Sequence, residues 1–253
     1  MVYDLQKASL WKRIAAWMFD GILVSVLAVG IGFLLSMLLG YDNYSETLDL
    51  AYAEYEAQYA VTFDITQEEY EAMTATELSA YNTAYEALIS DEKAMHAYNM
   101  MLNLSILITT MGILAALVLW EFVIPLFLGN GQTLGKKIFS LGVMRTDSVR
   151  LTTVQLFIRT ILGKFTIETM IPVYLLLMLF WGTLDLTGTL ILGVLLLAQC
   201  VIAAVTRTNS LIHDLLAGTV VVDISSQMIF ENTEALIEYQ KKIHAERVAR
   251  QDY

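Results

Sequence analysis

The sequence predicts an all-α polytopic membrane protein. It has four transmembrane helices, a helical extracytoplasmic insert and a small cytoplasmic motif layer with room for a short β-sheet. Three observations carry this reading. Apolar residues make up 57% of the 253 residues and charged ones 16%, with a mean hydropathy of +0.57, whereas soluble domains run at about 45–50% and about 25%. Four apolar runs, residues 14–39, 100–128, 154–181 and 189–206, are each long enough at ~1.5 Å per residue to cover most of a ~30 Å hydrocarbon core. Basic residues also avoid one of the connecting loops almost completely.

Residues 1–39 hold the N-terminal segment and the first span. Arg13 and Asp20 interrupt what would be the apolar core of a signal peptide, and no small-residue cleavage site follows, so this span is expected to stay in the mature protein. Residues 40–99 form the insert, with 13 of the 26 acidic residues and a single base, Lys93. The insert therefore carries −12 of the net −11, and the rest of the chain +1. Thr66 with Glu69 and Thr74 with Glu77 have capping-box spacing. Tyr52, Tyr55 and Tyr59 make one helical stripe, and Ser90-Asp91-Glu92 starts a helix that can continue into the second span. No calcium-loop motif is present, so the acids are expected to form a solvated surface.

Residues 100–225 hold the remaining spans and the cytoplasmic motifs. The stretch 129–137, Gly-Asn-Gly-Gln-Thr-Leu-Gly-Lys-Lys, fits neither a phosphate-binding loop nor a dinucleotide fingerprint, because glycines and the final Ser/Thr are missing where those need them. It reads as a turn leading into a short basic helix, with Lys136 and Lys137 facing anionic lipid. Residues 141–145 and 149–151 read as short strands around the turn 146–148, and 219–223 as a third. Residues 226–253 form an amphipathic, mixed-charge tail, expected to be helical.

Lys7, Lys12 and Arg13 precede the first span; Lys136, Lys137, Arg145 and Arg150 follow the second; Arg207 and four further bases follow the fourth. This places both termini and the 129–153 loop in the cytoplasm of a multi-pass cell-membrane protein, with the 40–99 loop outside. Trp11, Trp17, Trp120 and Trp181 stand near span ends, as interface anchors do. Cys200 is the only cysteine, which excludes an intramolecular disulfide.

An ionisable residue inside a span costs roughly 2.5–3.5 kcal/mol and is a functional candidate by default. Asp20 lies seven residues after Arg13 on the same helix face. Glu121 sits at a matching depth, eight residues before Gly129, and Pro125 lacks the amide that would bond the Glu121 carbonyl. The third run carries Arg159, Lys164 and Glu168; the last two are spaced to pair, and Pro172 is expected to kink the helix. Arg159 is within reach of Asp20, Glu121 or Asp214. His213 and Asp214 follow the fourth span on a short helix that Asn209 or Ser210 can cap and Gly218 can end.

These residues resemble the RDD family of membrane proteins. Arg13 and Asp20 in 12–20, Asp214 in 213–219, the segment Gly131-Gln-Thr133-Leu-Gly135-Lys136-Lys137 and Arg159 match its motifs in order, over about residues 8–39 and 100–223. The long acidic insert and Glu121 are not part of the common pattern. Members linked to sodium–proton exchange imply ion exchange, and an RDD-like domain that serves in a membrane quality-control complex implies a partner role.

Two functions therefore stay open. In the first, small cations and protons exchange through the Asp/Arg cluster: Asp20 binds the ion, Asp214, His213 and Glu121 relay protons, and Arg13 or Arg159 supplies countercharge. In the second, the cluster is a structural pin in a scaffold or accessory subunit that meets a second copy or another membrane protein. No enzyme motif, metal-ligand spacing or cofactor site is present. The acidic balance gives no basic patch for nucleic acid, so the expected surroundings are the lipid bilayer, monovalent cations and protons.

Overall fold

The computed structural model describes residues 8–170, 186–206 and 210–251. Pro172, Trp181, Arg207 and Asn209 lie outside the described residues. The chain forms two compact units, residues 1–29 with 113–253, and residues 30–112.

Helix α1 is Leu10–Leu39. A soluble helix hides its apolar stripe and shows its charges; α1 does the reverse. Trp11 is 79% exposed and Val29 73%, while Ala16 and Asp20 are its buried residues. Only surroundings as apolar as lipid make that arrangement favourable. A second continuous helix, Glu92–Leu128, comprises α5 (Glu92–Val118), a π-helical turn at Leu119–Val123 and α6 (Ile124–Leu128). Among the described residues these two helices are long and apolar enough to cross a membrane.

In the unit 30–112, α2 (Tyr41–Tyr59) packs with α4 (Ala75–Ser90), and α3 (Gln67–Glu71) lies between them in sequence. Both expected capping boxes form, with Thr66 and Thr74 each bonded reciprocally to Glu69 and Glu77. Asp91 accepts the amides of Lys93 and Ala94, so the next helix starts at Glu92 and runs without interruption into the apolar stretch. The tyrosine stripe splits: Tyr55 stacks on Tyr59, while Tyr52 meets Phe63 edge to face.

In the other unit, α7 (Leu134–Ile138) follows a turn through Gly129, Asn130 and Gly131. Strand β1 (Leu141–Arg145) pairs antiparallel with β2 (Thr219–Asp223), with Val143 opposite Val221. Both strands are buried to the fourth residue, and Ala8, Ala16, Leu141, Val143 and Val221 share one apolar cluster. The expected strand at 149–151 does not form. The backbone of Ser148 and Arg150 bonds to Phe230 instead, leaving single bridges to Met144 and Phe230. Helix α8 (Thr153–Phe157) continues as a π-helix over Ile158–Glu168. Helix α9 is Leu186–Val205 and the short α10 is Ile212–Ala217, packed on the π-helix and ended by Gly218 at φ 62°. The tail forms α11 (Thr233–Gln251), pinned where Leu236 and Phe230 cover Val149.

Candidate functional site

The sheet and α7 hold a layer of buried charge against the membrane helices. It begins at Asp20, which is 4% exposed. Its Oδ1 accepts Trp120 Nε1–H at 2.9 Å and the Gly135 amide at 2.8 Å, and its Oδ2 accepts the Thr133 hydroxyl at 2.5 Å. Thr133 is the N-cap of α7 and also accepts the Lys136 amide. The carboxylate thus sits at the start of α7, where free amides point outward. A Cβ at Gly135 would stand 2.5 Å from the Ala16 carbonyl oxygen and 2.8 Å from Asp20 Cγ, so only glycine permits this approach. Among the described residues three donors and no cation bond Asp20. Trp120, expected as an interface anchor, is buried as one of those donors because a carboxylate in an apolar setting needs every one it can reach.

Glu121 lies one residue on, in the π-turn. Lys164 Nζ reaches its Oε1 at 2.5 Å, and Lys136 Nζ stands 3.8 Å from its Oε2. The carbonyl of Glu121, which Pro125 cannot bond, takes the Thr160 hydroxyl at 3.4 Å. Burial drives the Lys136 ammonium down to about 8 against the pull of Glu121.

The third group centres on Asp214. Arg159 donates Nε–H to Oδ1 at 2.9 Å, its Nη2 also stands 2.9 Å from Oδ1, and Arg13 Nη2 stands 3.5 Å from Oδ2. Burial pushes the Asp214 carboxyl up, but Arg159 and Arg13 outweigh it and hold it at about 2. The Leu211 amide and the Thr219 hydroxyl also point at it, so the N-terminal cap of α10 is Asp214 acting back on Leu211. His213 donates its amide and Nδ1–H to Glu168 at 2.7 Å each. Its Nε2 faces Arg159 Nη2 at 3.0 Å, and a guanidinium only donates, so that nitrogen carries the lone pair. Burial, then Arg159, lowers the His213 pKa, in keeping with a neutral ring.

Lys164 and Glu168, spaced to pair, do not: each has a better buried partner on another element, Glu121 and His213. Trp120 and Gly163 are site residues that spacing did not single out, and Glu168 joins the site through His213 rather than through Lys164. Gly163 matters because a Cβ there would stand 2.8 Å from His213 Cβ. Arg13, Arg159, Lys136 and Lys164 balance Asp20, Glu121, Glu168 and Asp214 in formal charge. Among the described residues no group of acids, histidines or cysteines could hold a metal ion. At the sheet edge, Lys12 and Ser225 hold Asp223 at about 2, with Lys12 Nζ 2.5 Å away.

The sequence model of the RDD family matches residues 7–218. No curated protein and no solved structure matches the chain.

Proposed function

The chain belongs to the RDD family, and from that premise we propose a four-span cell-membrane protein, termini inside, whose buried ionic layer locks the cytoplasmic motifs onto the membrane helices. In this reading the protein serves as a scaffold or accessory subunit. The observation that supports it most is the donor set around Asp20. An indole N–H, a hydroxyl and an amide all aim hydrogens at the carboxylate. A cation needs oxygen lone pairs there, and the site offers hydrogens instead. The other three carboxylates also face charged or hydrogen-bonding donors from other segments. Four spans and inward termini rest on the apolar runs and the distribution of bases.

One observation favours exchange of small cations and protons. Lys136, at about 8, can give up its proton near neutral pH beside Glu121. In that reading Lys136 and Glu121 pass the proton and Asp20 takes the ion when α7 withdraws.

Proteoliposomes with an imposed pH gradient separate the two. The lock predicts no sodium, lithium or potassium flux from the wild type, and Asp20→Asn protein that accumulates poorly and melts early. Wild-type flux, lost in an Asp20→Asn protein of normal stability, would overturn it.

A further inference from the structure

The unit 30–112 contains a cleft that shares no residue with the ionic layer. It lies between α2 and α4, has a volume of about 470 Å³, and is lined by Asp49, Tyr52, Phe63, Asp64, Tyr81 and Tyr85. That volume falls in the range of about 300–1,000 Å³ of small-molecule sites. Phe63 is the centre of its aromatic wall. The Tyr52 ring meets Phe63 edge to face at 5.6 Å and 71°, and the Tyr81 ring meets it edge to face at 5.7 Å and 66°. Phe63 is fixed there because its amide donates to Glu56 Oε1 at 2.7 Å. Tyr81 also packs edge to face against Tyr70 at 5.5 Å and 72°. Tyr52, Phe63 and Tyr81 therefore form one aromatic cluster that lines the cleft.

The charge around the walls is of one sign. Asp49 and Asp64 stand at the cleft, and the only base in residues 30–112 is Lys93. No group of acids among the described residues could hold a metal ion. The cavity therefore combines negative potential and aromatic faces without a cage of oxygens. That suits a cation whose charge is spread over methyl groups, which loses little hydration on entry and is attracted by ring quadrupoles.

We propose that this cleft binds a quaternary ammonium group, of the kind choline carries, against the rings of Tyr52, Phe63 and Tyr81, with Asp49 and Asp64 supplying charge attraction. The group could come from a soluble cation or from a lipid headgroup.

The test is calorimetric titration of the full chain, purified in a detergent without a choline headgroup, with tetramethylammonium chloride and choline chloride. The neutral isostere of choline, 3,3-dimethylbutan-1-ol, is the control. Both cations are expected to bind at least about tenfold more tightly than the isostere, about the size of a desolvated cation–π contact. Tyr81→Leu should cost about tenfold and Tyr81→Phe less than about threefold, because the second keeps the ring. Asp64→Asn, at an exposed position, should weaken both cations about two- to fivefold and leave the isostere unchanged. Helix content by circular dichroism checks that each variant is folded. Equal affinity for choline and its isostere, equal loss in the Leu and Phe variants, or no heat from either cation overturns the proposal. Nanodiscs of phosphatidylcholine and of phosphatidylglycerol assign the source. Choline binding blocked only in phosphatidylcholine identifies a lipid headgroup, and equal binding in both identifies a soluble cation.

Discussion

Trp120 and Asp20, one hundred residues apart, are joined by a buried indole hydrogen bond of 2.9 Å. The indole can only donate, so the contact requires an acceptor at residue 20. Asp20→Asn replaces one acceptor oxygen by an amide that itself donates, and sets it against Trp120, Thr133 or Gly135. A melting temperature measured in detergent should fall by an amount equivalent to about 1–3 kcal/mol. Trp120→Phe, which removes one donor of three, should cost less. A wild-type melting curve for Asp20→Asn would show that the donor set does not hold the fold.

Gly135→Ala probes the same junction from the other side. The new methyl meets a backbone carbonyl, which cannot swing away as a side chain can. Helix α7 must retreat from α1, and the expected loss is about 1–3 kcal/mol. Because both changes break one junction, the double variant with Asp20→Asn should lose less than the sum of the two, as contacting sites do.

Arg159 serves Asp214 and His213 together through one planar fork. Lysine keeps the charge and loses the fork, so Arg159→Lys should still destabilise the protein measurably. Arg159→Met leaves Asp214 with Arg13, 3.5 Å away, as its guanidinium partner among the described residues and should cost about 3–5 kcal/mol. Adding Asp214→Asn to Arg159→Met should recover part of that loss. Purely additive losses would mean that the two residues are not coupled.

Lys136 gives a pH dependence with a defined sign. Its folded value, about 8, lies below that of a free lysine, so the folded state bears a penalty for keeping it charged. That penalty is full below about 8 and fades as pH rises to about 10.4, where the unfolded chain also loses the proton. Relative to Lys136→Met, the wild type should therefore gain stability between pH 8 and pH 10. A constant difference over that window would remove the titration.

Thr110 is fully buried in α5, and its hydroxyl is the one buried side-chain group among the described residues without a hydrogen-bond partner. Valine has the same shape without the hydroxyl. Thr110→Val is expected to be neutral or stabilising by about 1 kcal/mol, against the destabilisation typical of core changes. A lower melting temperature would reveal a partner for that hydroxyl.

What could be read from sequence depended on how far apart the partners lie. Thr66 with Glu69 and Thr74 with Glu77 were legible because a capping box needs only three residues of spacing. The limits 141–145 and 219–223 were legible because glycine, turns and β-branched runs bound them locally. Asp20, Glu121, Arg159 and Asp214 stood out individually, since a charge among apolar residues needs a reason. Their partners did not, because Asp20 chooses Trp120, Thr133 and Gly135 across 100 to 115 residues. Trp120 looked like an interface anchor from its place near a span end, and Lys164 with Glu168 looked paired from a spacing of four. The π-helical stretches had no sequence signal, because hydrophobic periodicity does not separate them from ordinary helix.

The reach of these contacts sets a timetable for synthesis. Asp20 leaves the ribosome well before Gly135, its partner 115 residues later, and Arg13 waits 201 residues for Asp214. At about 5–20 residues per second, the first delay is on the order of ten seconds. Until residue 120 is made, the nascent first helix carries a carboxylate with none of its final donors made. Translation that stalls before residue 120 would leave a helix with an unsatisfied carboxylate, poorly suited to the bilayer.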